Sequence, residues 1–323
     1  MSSPAFFVER RRAKTSFAAT GRDFALALPG VAAPPLVRFA GARVVGTLTR
    51  MPQERKRIHF IAGMPRAGST ILGNILAQNP RFHVTPTSGL LDALLALRTS
   101  FDQITEFKAA PNQAGKMAAV RGALLGFFDP VDRPVVFDRN RAWLSELELA
   151  EVLLERPAKV IVCVRDIPEI LASLERLWRD NKPFRRIQQQ EMHVVEFQSL
   201  EGRCNVWLQP AHIVGLSYLR IQDALTRGFR ARMHFVHFDR LTGNPAGAIA
   251  AIYQFLDEEP FAHDFEHVEQ VTFEDDLVRG MAGLHDIRPA VRPVSPRSEE
   301  MLGALREKFK GPYVWDPYLA TSS

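Results

Sequence analysis

Residues 58–62, Ile-His-Phe-Ile-Ala, form a short apolar run rich in strand formers that leads straight into Gly63-Met64-Pro65-Arg66-Ala67-Gly68. Glycine and proline mark that hexapeptide as a loop. From Ser69 the period changes: Ile71, Leu72, Ile75 and Leu76 share one helical face. The helix is expected to end near Asn79-Pro80, because a proline pushes the residue before it out of the helical region. A buried strand that turns through a tight loop into a helix is half of a βαβ unit, and it needs a parallel neighbour. The alternation recurs downstream. Helical patterns cover 89–97, 115–128, 143–154, 167–178 and 245–256, and short apolar runs suited to strands cover 135–137, 160–164 and 234–238. Strands alternating with helices predict an α/β chain, with three α/β/α layers around a central parallel sheet.

The 323 residues are 46% apolar and suffice for one sizeable core, with or without a small subdomain. A charged fraction of 24% excludes wholesale disorder. The net charge of +5 is unevenly spread: the first 57 residues hold 11 basic and 3 acidic side chains, the remainder 30 and 33. Basicity therefore belongs to the leader, nucleic-acid binding is not expected, and any anion site in the body must be local. Residues 1–54 read as a basic, disordered leader and 55–323 as the folded domain. The leader is Arg-rich and acid-poor, which is also the composition of a transit peptide, and a start assigned upstream of Met51 would look the same. Cys163 and Cys204 are the only cysteines, too few for a disulfide framework and without metal-ligand spacing. Cys163 lies inside the run at 160–164 and reads as a buried thiol. This suits a reducing compartment, and a cytoplasmic location is expected. No apolar stretch approaches the length of about 18 residues needed to span a membrane.

Gly63-x-x-x-x-Gly68-Ser69-Thr70 has the spacing of a phosphate-binding P-loop with Ser69 where that motif requires lysine. The backbone physics survives the change, since glycines let the loop curl its amides inward and a helix N-terminus adds positive potential. Ser69 and Thr70 add hydroxyls, and Arg66 adds a planar, permanently charged fork. The lysine that reaches the β- and γ-phosphates of a triphosphate is missing, so an ordinary kinase or ATPase is disfavoured. A plain Gly/Pro turn before a helix has the same local look. The octapeptide resembles the 5′-phosphosulfate loop of sulfotransferases that use 3′-phosphoadenosine 5′-phosphosulfate (PAPS), and is most similar to the tyrosylprotein branch, which reads roughly G-x-P-R-S-G-T-T. The resemblance implies that Arg66, Ala67, Gly68, Ser69 and Thr70 hold the 5′-phosphosulfate, and that the fold is the P-loop-like sulfotransferase fold.

A second unit has a buried strand ending in Arg165-Asp166, with Pro168 placed to open a helix and Asp166 to cap it. Ser173 follows Arg165 by eight residues, two turns along, where its hydroxyl can point back to the strand end. This resembles the family's strand–R-D-P–helix–S motif and implies that Arg165 and Ser173 hold the 3′-phosphate, the group that separates PAPS from ATP. After the strand at 135–137 the family carries a basic residue. Arg139 is the matching position and Arg141 the second choice, implying a cation beside the departing phosphate; a solvated loop, or a Walker-B-like strand ending in Asp138, remains open. His237-Phe238-Asp239 and Val291-Arg292-Pro293-Val294-Ser295 resemble weaker family segments, and imply that Arg292 and Ser295 close over the nucleotide.

In-line sulfuryl transfer needs no metal, but it needs a proton acceptor. The tyrosylprotein enzymes carry a glutamate in an E-x-R segment after the first helix, and here that region is His83-Val84-Thr85-Pro86-Thr87-Ser88-Gly89. His83 and Asp92 are the nearest proton acceptors, with Asp138 a third. Residues 176–209, with Arg179, Lys182, Arg185 and Arg186, read either as an acceptor-side lid or as a solvated insertion. The acceptor, a small molecule, carbohydrate or peptide with a hydroxyl or amine, is not specified by the sequence. A kinase with an altered loop and a non-catalytic nucleotide-binding member remain as alternatives.

Overall fold

In the computed structural model, residues 56–181 and 195–319 are described, and the expected leader over residues 1–54 lies outside them. The described chain forms a five-stranded, wholly parallel sheet in the order β2-β3-β1-β4-β5. The strands are β1 (Arg57–Gly63), β2 (Phe82–Thr87), β3 (Val135–Arg139), β4 (Val160–Val164) and β5 (Met233–His237). Every residue of β3 and β4 is buried, as expected of strands covered on both faces.

The chain steps to one side from β1 to β2 and to the other side at each later crossover. Right-handed crossovers then place α1 (Ser69–Leu76) on one face. The opposite face receives α2 (Leu90–Gln103), α3 (Thr105–Ala109), α4 (Gln113–Phe128), α5 (Leu147–Leu154) and α6 (Ile167–Asp180). Two further helices, α7 (Leu200–Leu208) and α8 (Ile213–Thr226), precede β5. After it come α9 (Phe238–Gly243) and α10 (Pro245–Leu256). β1 and β4 are neighbours whose chains leave in opposite directions. This opens a crevice beyond their carboxyl ends, the place where open α/β sheets bind ligands.

The strand at 160–164 and the helix at 245–256 have their expected bounds. Strand β2 is not among the strands expected from the sequence. It is an edge strand with a register shift between Val84 and Thr87, and an edge tolerates a proline that a central strand excludes. The single helix expected over 143–154 is a 3-10 turn (Arg141–Ser145) followed by α5. Asn140 accepts from the amide of Ala142, and the Trp143 indole donates to Asp138 at 2.6 Å, so this turn is tied back onto β3 before the α-helix starts. Cys163 and Cys204 are both buried, and burial raises each thiol to about 12.

Candidate active site

Gly63 ends β1 at φ +116°, and a Cβ there would stand 2.1 Å from the carbonyl oxygen of Cys163 on β4. Only glycine lets the two central strands approach so closely before the loop departs. The Met64 amide donates to that same carbonyl at 2.8 Å. Arg66 is forced into the left-handed region, φ 56°, unusual for a side chain of its size. Gly68, at φ 87°, starts α1 and lies against the Phe238 ring. Backbone strain concentrated in one loop is a common mark of a functional site.

The strained loop aims Arg66 across the crevice. Its Nε donates to Ser173 Oγ on α6 at 3.0 Å, and its Nη1 donates to the carbonyl of Leu284. Burial, then repulsion from Arg176 and Arg165, lowers its guanidinium to about 10. Arg165, 8% exposed, stands at the end of β4 with its guanidinium over the Phe238 ring, 4.1 Å from the centroid. It donates to the Arg66 carbonyl at 3.4 Å and to Glu169 at 3.5 Å, both long, and its buried Nε has no partner. Asp166 stands at the N-cap of α6, but its side chain makes no capping bond; it meets His237 Nε2 at 3.3 Å instead.

These groups line one cavity of about 540 Å³. It holds ten arginines against three carboxylates, Asp92, Glu169 and Asp286. Among the expected site residues, Arg66, Gly68, Ser69, Thr70, Asp92, Arg139, Arg165, Ser173 and Arg292 face it together. Ala67 turns into the core. Ser295 is exposed and outside the lining, and Arg292 reaches the cavity while paired with Glu266. His83 is not brought in. It stands one residue into β2, at the amino end of the sheet, whereas the cavity opens at the carboxyl ends. Burial, with Arg133 and Lys56, lowers its pKa. Asp138 is fully buried and tied to Trp143, and it does not line the cavity; burial raises its carboxyl despite bonds from Ser88, Trp143 and Thr85.

Arg139 reaches the cavity from the end of β3, but Glu274 already engages its guanidinium. The same carboxylate accepts from the amide and hydroxyl of Thr87, both at 2.8 Å, and meets Arg279 at 3.2 Å. Glu274 belongs to the long connection after α10 that covers the cavity. Asn74 clamps that connection by accepting from the amides of Val271 and Thr272, and Asn181 exchanges two bonds with Ala282. Sequence reading missed Glu274, and also His285, which faces the cavity with Nδ1 2.5 Å from Asp276. No local periodicity marks either, because their partners lie far along the chain. It missed Arg220 and Arg279 as well.

Of the stretch 176–209, Lys182, Arg185 and Arg186 lie outside the described residues. Arg176 lines the cavity. Arg179 bonds Glu175, and Arg203 bonds both oxygens of Glu175 at 2.7 Å and stacks on Trp178. These latter contacts are internal packing and do not cover the cavity. Among the described residues no cluster of three metal-ligating side chains occurs, and no helix is long and apolar enough to cross a membrane.

No curated protein matches the chain. Among solved structures it is similar to the sulfotransferase STF9 from Mycobacterium avium, at 19% identity and TM-score 0.36 over 65% of this chain and 66% of that one. It is similar to a sulfotransferase from Alicyclobacillus acidocaldarius at 16% identity and TM-score 0.40, covering 79% of this chain and 92% of that one. The sulfotransferase domain from the curacin biosynthetic pathway matches at 17% identity and TM-score 0.39, over 81% and 94%. The profile described as Sulfotransferase family matches residues 59–263, well over half of the chain and inclusive of the loop, Arg165 and Ser173. On that match, the chain belongs to the sulfotransferase family.

Proposed function

We propose that the protein moves the sulfuryl group of PAPS onto a hydroxyl or amine acceptor within this cavity. The observation that carries the reading is the 3.0 Å bond from Arg66 to Ser173, beside Arg165. It joins the loop after β1 to the unit after β4, so the groups suited to the 5′-phosphosulfate and the 3′-phosphate stand at the two edges of one crevice. The fit is electrostatic as well: the lining is rich in arginine, and the Arg165 Nε is buried without a partner.

PAPS supplies the sulfuryl group, the acceptor atom bonding to sulfur as the bond to the 5′-phosphate oxygen breaks and its electron pair leaves on that phosphate. Arg66, the hydroxyls of Ser69 and Thr70, and the first-turn amides of α1, which have no intrahelical partner, hold the phosphosulfate and offset charge on the outer oxygens. Arg165 and Ser173 fix the 3′-phosphate through charge-assisted bonds. Arg139 stands beside the loop and stabilises the departing phosphate, once Glu274 shares or yields it. Asp92 takes the acceptor proton, being the proposed proton acceptor that faces the cavity. The loop sequence favours the tyrosylprotein-like branch, whereas the missing glutamate leaves the acceptor open.

The test is incubation with PAPS and pooled hydroxyl and amine acceptors, followed by mass spectrometry and assay of released 3′-phosphoadenosine 5′-phosphate (PAP). Acceptor-dependent release of PAP with a sulfated product is expected. Binding of Mg-ATP in preference to PAPS, with no product from any acceptor, would overturn the proposal in favour of a kinase with an altered loop.

A further inference from the structure

Arg141 and Arg220 reach the cavity from elements unrelated to the two phosphate-binding units. Arg141 opens the 3-10 turn after β3, and Arg220 comes from α8, which packs against that turn. Both line the cavity, yet neither makes a hydrogen bond or ion pair with a carboxylate among the described residues, and the Nε of Arg220 is buried without a partner. Their surroundings add positive charge. Burial, then Arg220, Arg279 and Arg139, lowers Arg141 to about 10, and Glu274 arrives only as a weaker opposing influence. The one carboxylate whose charge supports Arg220 is Asp92. Glu274 is already divided between Arg139, Arg279 and His285.

Two arginines held near each other with no paired carboxylate, and only the more distant charges of Asp92 and Glu274 to offset them, raise the energy of the fold, and an anion bound between them offsets that cost. Arg66, Arg165 and Ser173 line the same cavity from the crevice between β1 and β4, and none of them bonds to Arg141 or Arg220. We infer that Arg141 and Arg220 form an anchor for a negatively charged acceptor, one that carries its own carboxylate, sulfate or phosphate group and presents its hydroxyl or amine to Asp92. The inference rests on the proposed sulfuryl transfer for the role of Asp92 and for the division of the cavity. The anion site itself stands on the unpaired arginines alone. A fork of two guanidinium groups suits planar carboxylates and tetrahedral oxyanions equally, so the two classes are separated by experiment.

The test is titration calorimetry on the full chain with inorganic sulfate and, separately, benzoate, each with and without saturating PAP. PAP fills the nucleotide positions but leaves the sulfuryl position open, so the second site is reported by the part of the remaining anion-binding event that depends on Arg141 and Arg220. The Arg141→Met/Arg220→Met double variant is expected to weaken that event by about tenfold or more while PAP affinity stays within about twofold. Whichever probe binds more tightly identifies the class. Removing unpaired cations is expected to raise the melting temperature, and Arg220→Lys, which keeps a charge, is expected to retain part of the binding should the double variant misfold. Absence of any anion event in the wild-type protein, with PAP or without it, would refute the anchor. So would unchanged anion affinity in the double variant, or loss of PAP affinity with it, since the arginines would then belong to the nucleotide positions. If wild-type protein fails to bind PAP, the sulfuryl-transfer proposal falls; anion binding by the nucleotide-free protein that the double variant loses would still support the anchor.

Discussion

Replacing Arg165 with alanine should remove the proposed 3′-phosphate contact while leaving the fold nearly intact. Arg165 contributes little to internal bonding, since its two bonds are 3.4 and 3.5 Å long and its Nε has none. Glu169, its acidic neighbour, keeps the amides of Arg297 and Ser298, both at 3.0 Å, so it is not orphaned. The fold loses mainly the stacking on Phe238. Binding loses a charge-assisted contact, about 1.5–3 kcal/mol. At tenfold per 1.4 kcal/mol this weakens PAP affinity by roughly 10- to 150-fold. Adenosine 5′-phosphate lacks the 3′-phosphate and should bind wild type and variant almost alike. Calorimetric titration of both proteins with both nucleotides reads the difference, and Arg165→Lys should fall between them because lysine keeps the charge but not the fork. Unchanged PAP affinity, or an equal loss for both nucleotides, would refute the placing of the 3′-phosphate at Arg165.

Gly63→Ala should destabilise the domain by about 3 kcal/mol, since φ +116° is strained for alanine and the new Cβ meets the Cys163 carbonyl at 2.1 Å. That is a fall in Tm of roughly 6–12 °C, and a fall under about 2 °C would contradict it. Asp92→Asn should cut kcat with little change in PAP affinity, and an unaltered kcat at saturating acceptor would dismiss Asp92 as proton acceptor. Glu169 ionises more readily in the fold than in the unfolded chain. Burial opposes this, but bonds from Arg297 and Ser298 and the charge of Arg165 outweigh it. Its contribution is therefore complete above the ordinary glutamate value of about 4.3 and is lost as pH falls through its lower folded value. Denaturant unfolding of wild type and Glu169→Gln across this range should show their stability difference shrinking as pH falls, and a gap that widened instead would mean that the fold raises the Glu169 carboxyl.

Local chemistry made one part of this molecule legible in its sequence. The strand–loop–helix units at Gly63–Gly68 and Arg165–Ser173 announce themselves through apolar runs, turn residues and helical period, and the fold then brings the two units together. The bond between Arg66 and Ser173 follows from their shared position at the carboxyl ends of adjacent strands. Edge strand β2 stayed hidden because Pro86 contradicts strand chemistry everywhere except at an edge, and strand order is not a local property. His83 fell at the wrong end of that strand for the same reason. Glu274, His285 and Arg279 lie in a connection without regular structure, held by distant partners such as Asn74 and Arg139. A carboxylate that pairs with Arg139 from 135 positions along the chain leaves no periodic trace.

Sulfuryl transfer from PAPS, as proposed, requires a cavity that takes a 3′-phosphorylated nucleotide in preference to a triphosphate. Titration of the wild-type protein with PAP, beside Mg-ATP under the same conditions, tests it most directly. Micromolar binding of PAP, about −8 kcal/mol, with Mg-ATP at least tenfold weaker is the predicted result. Equal or tighter binding of Mg-ATP would contradict it, because Arg165 and Ser173 would then not be recognising the group that distinguishes the two.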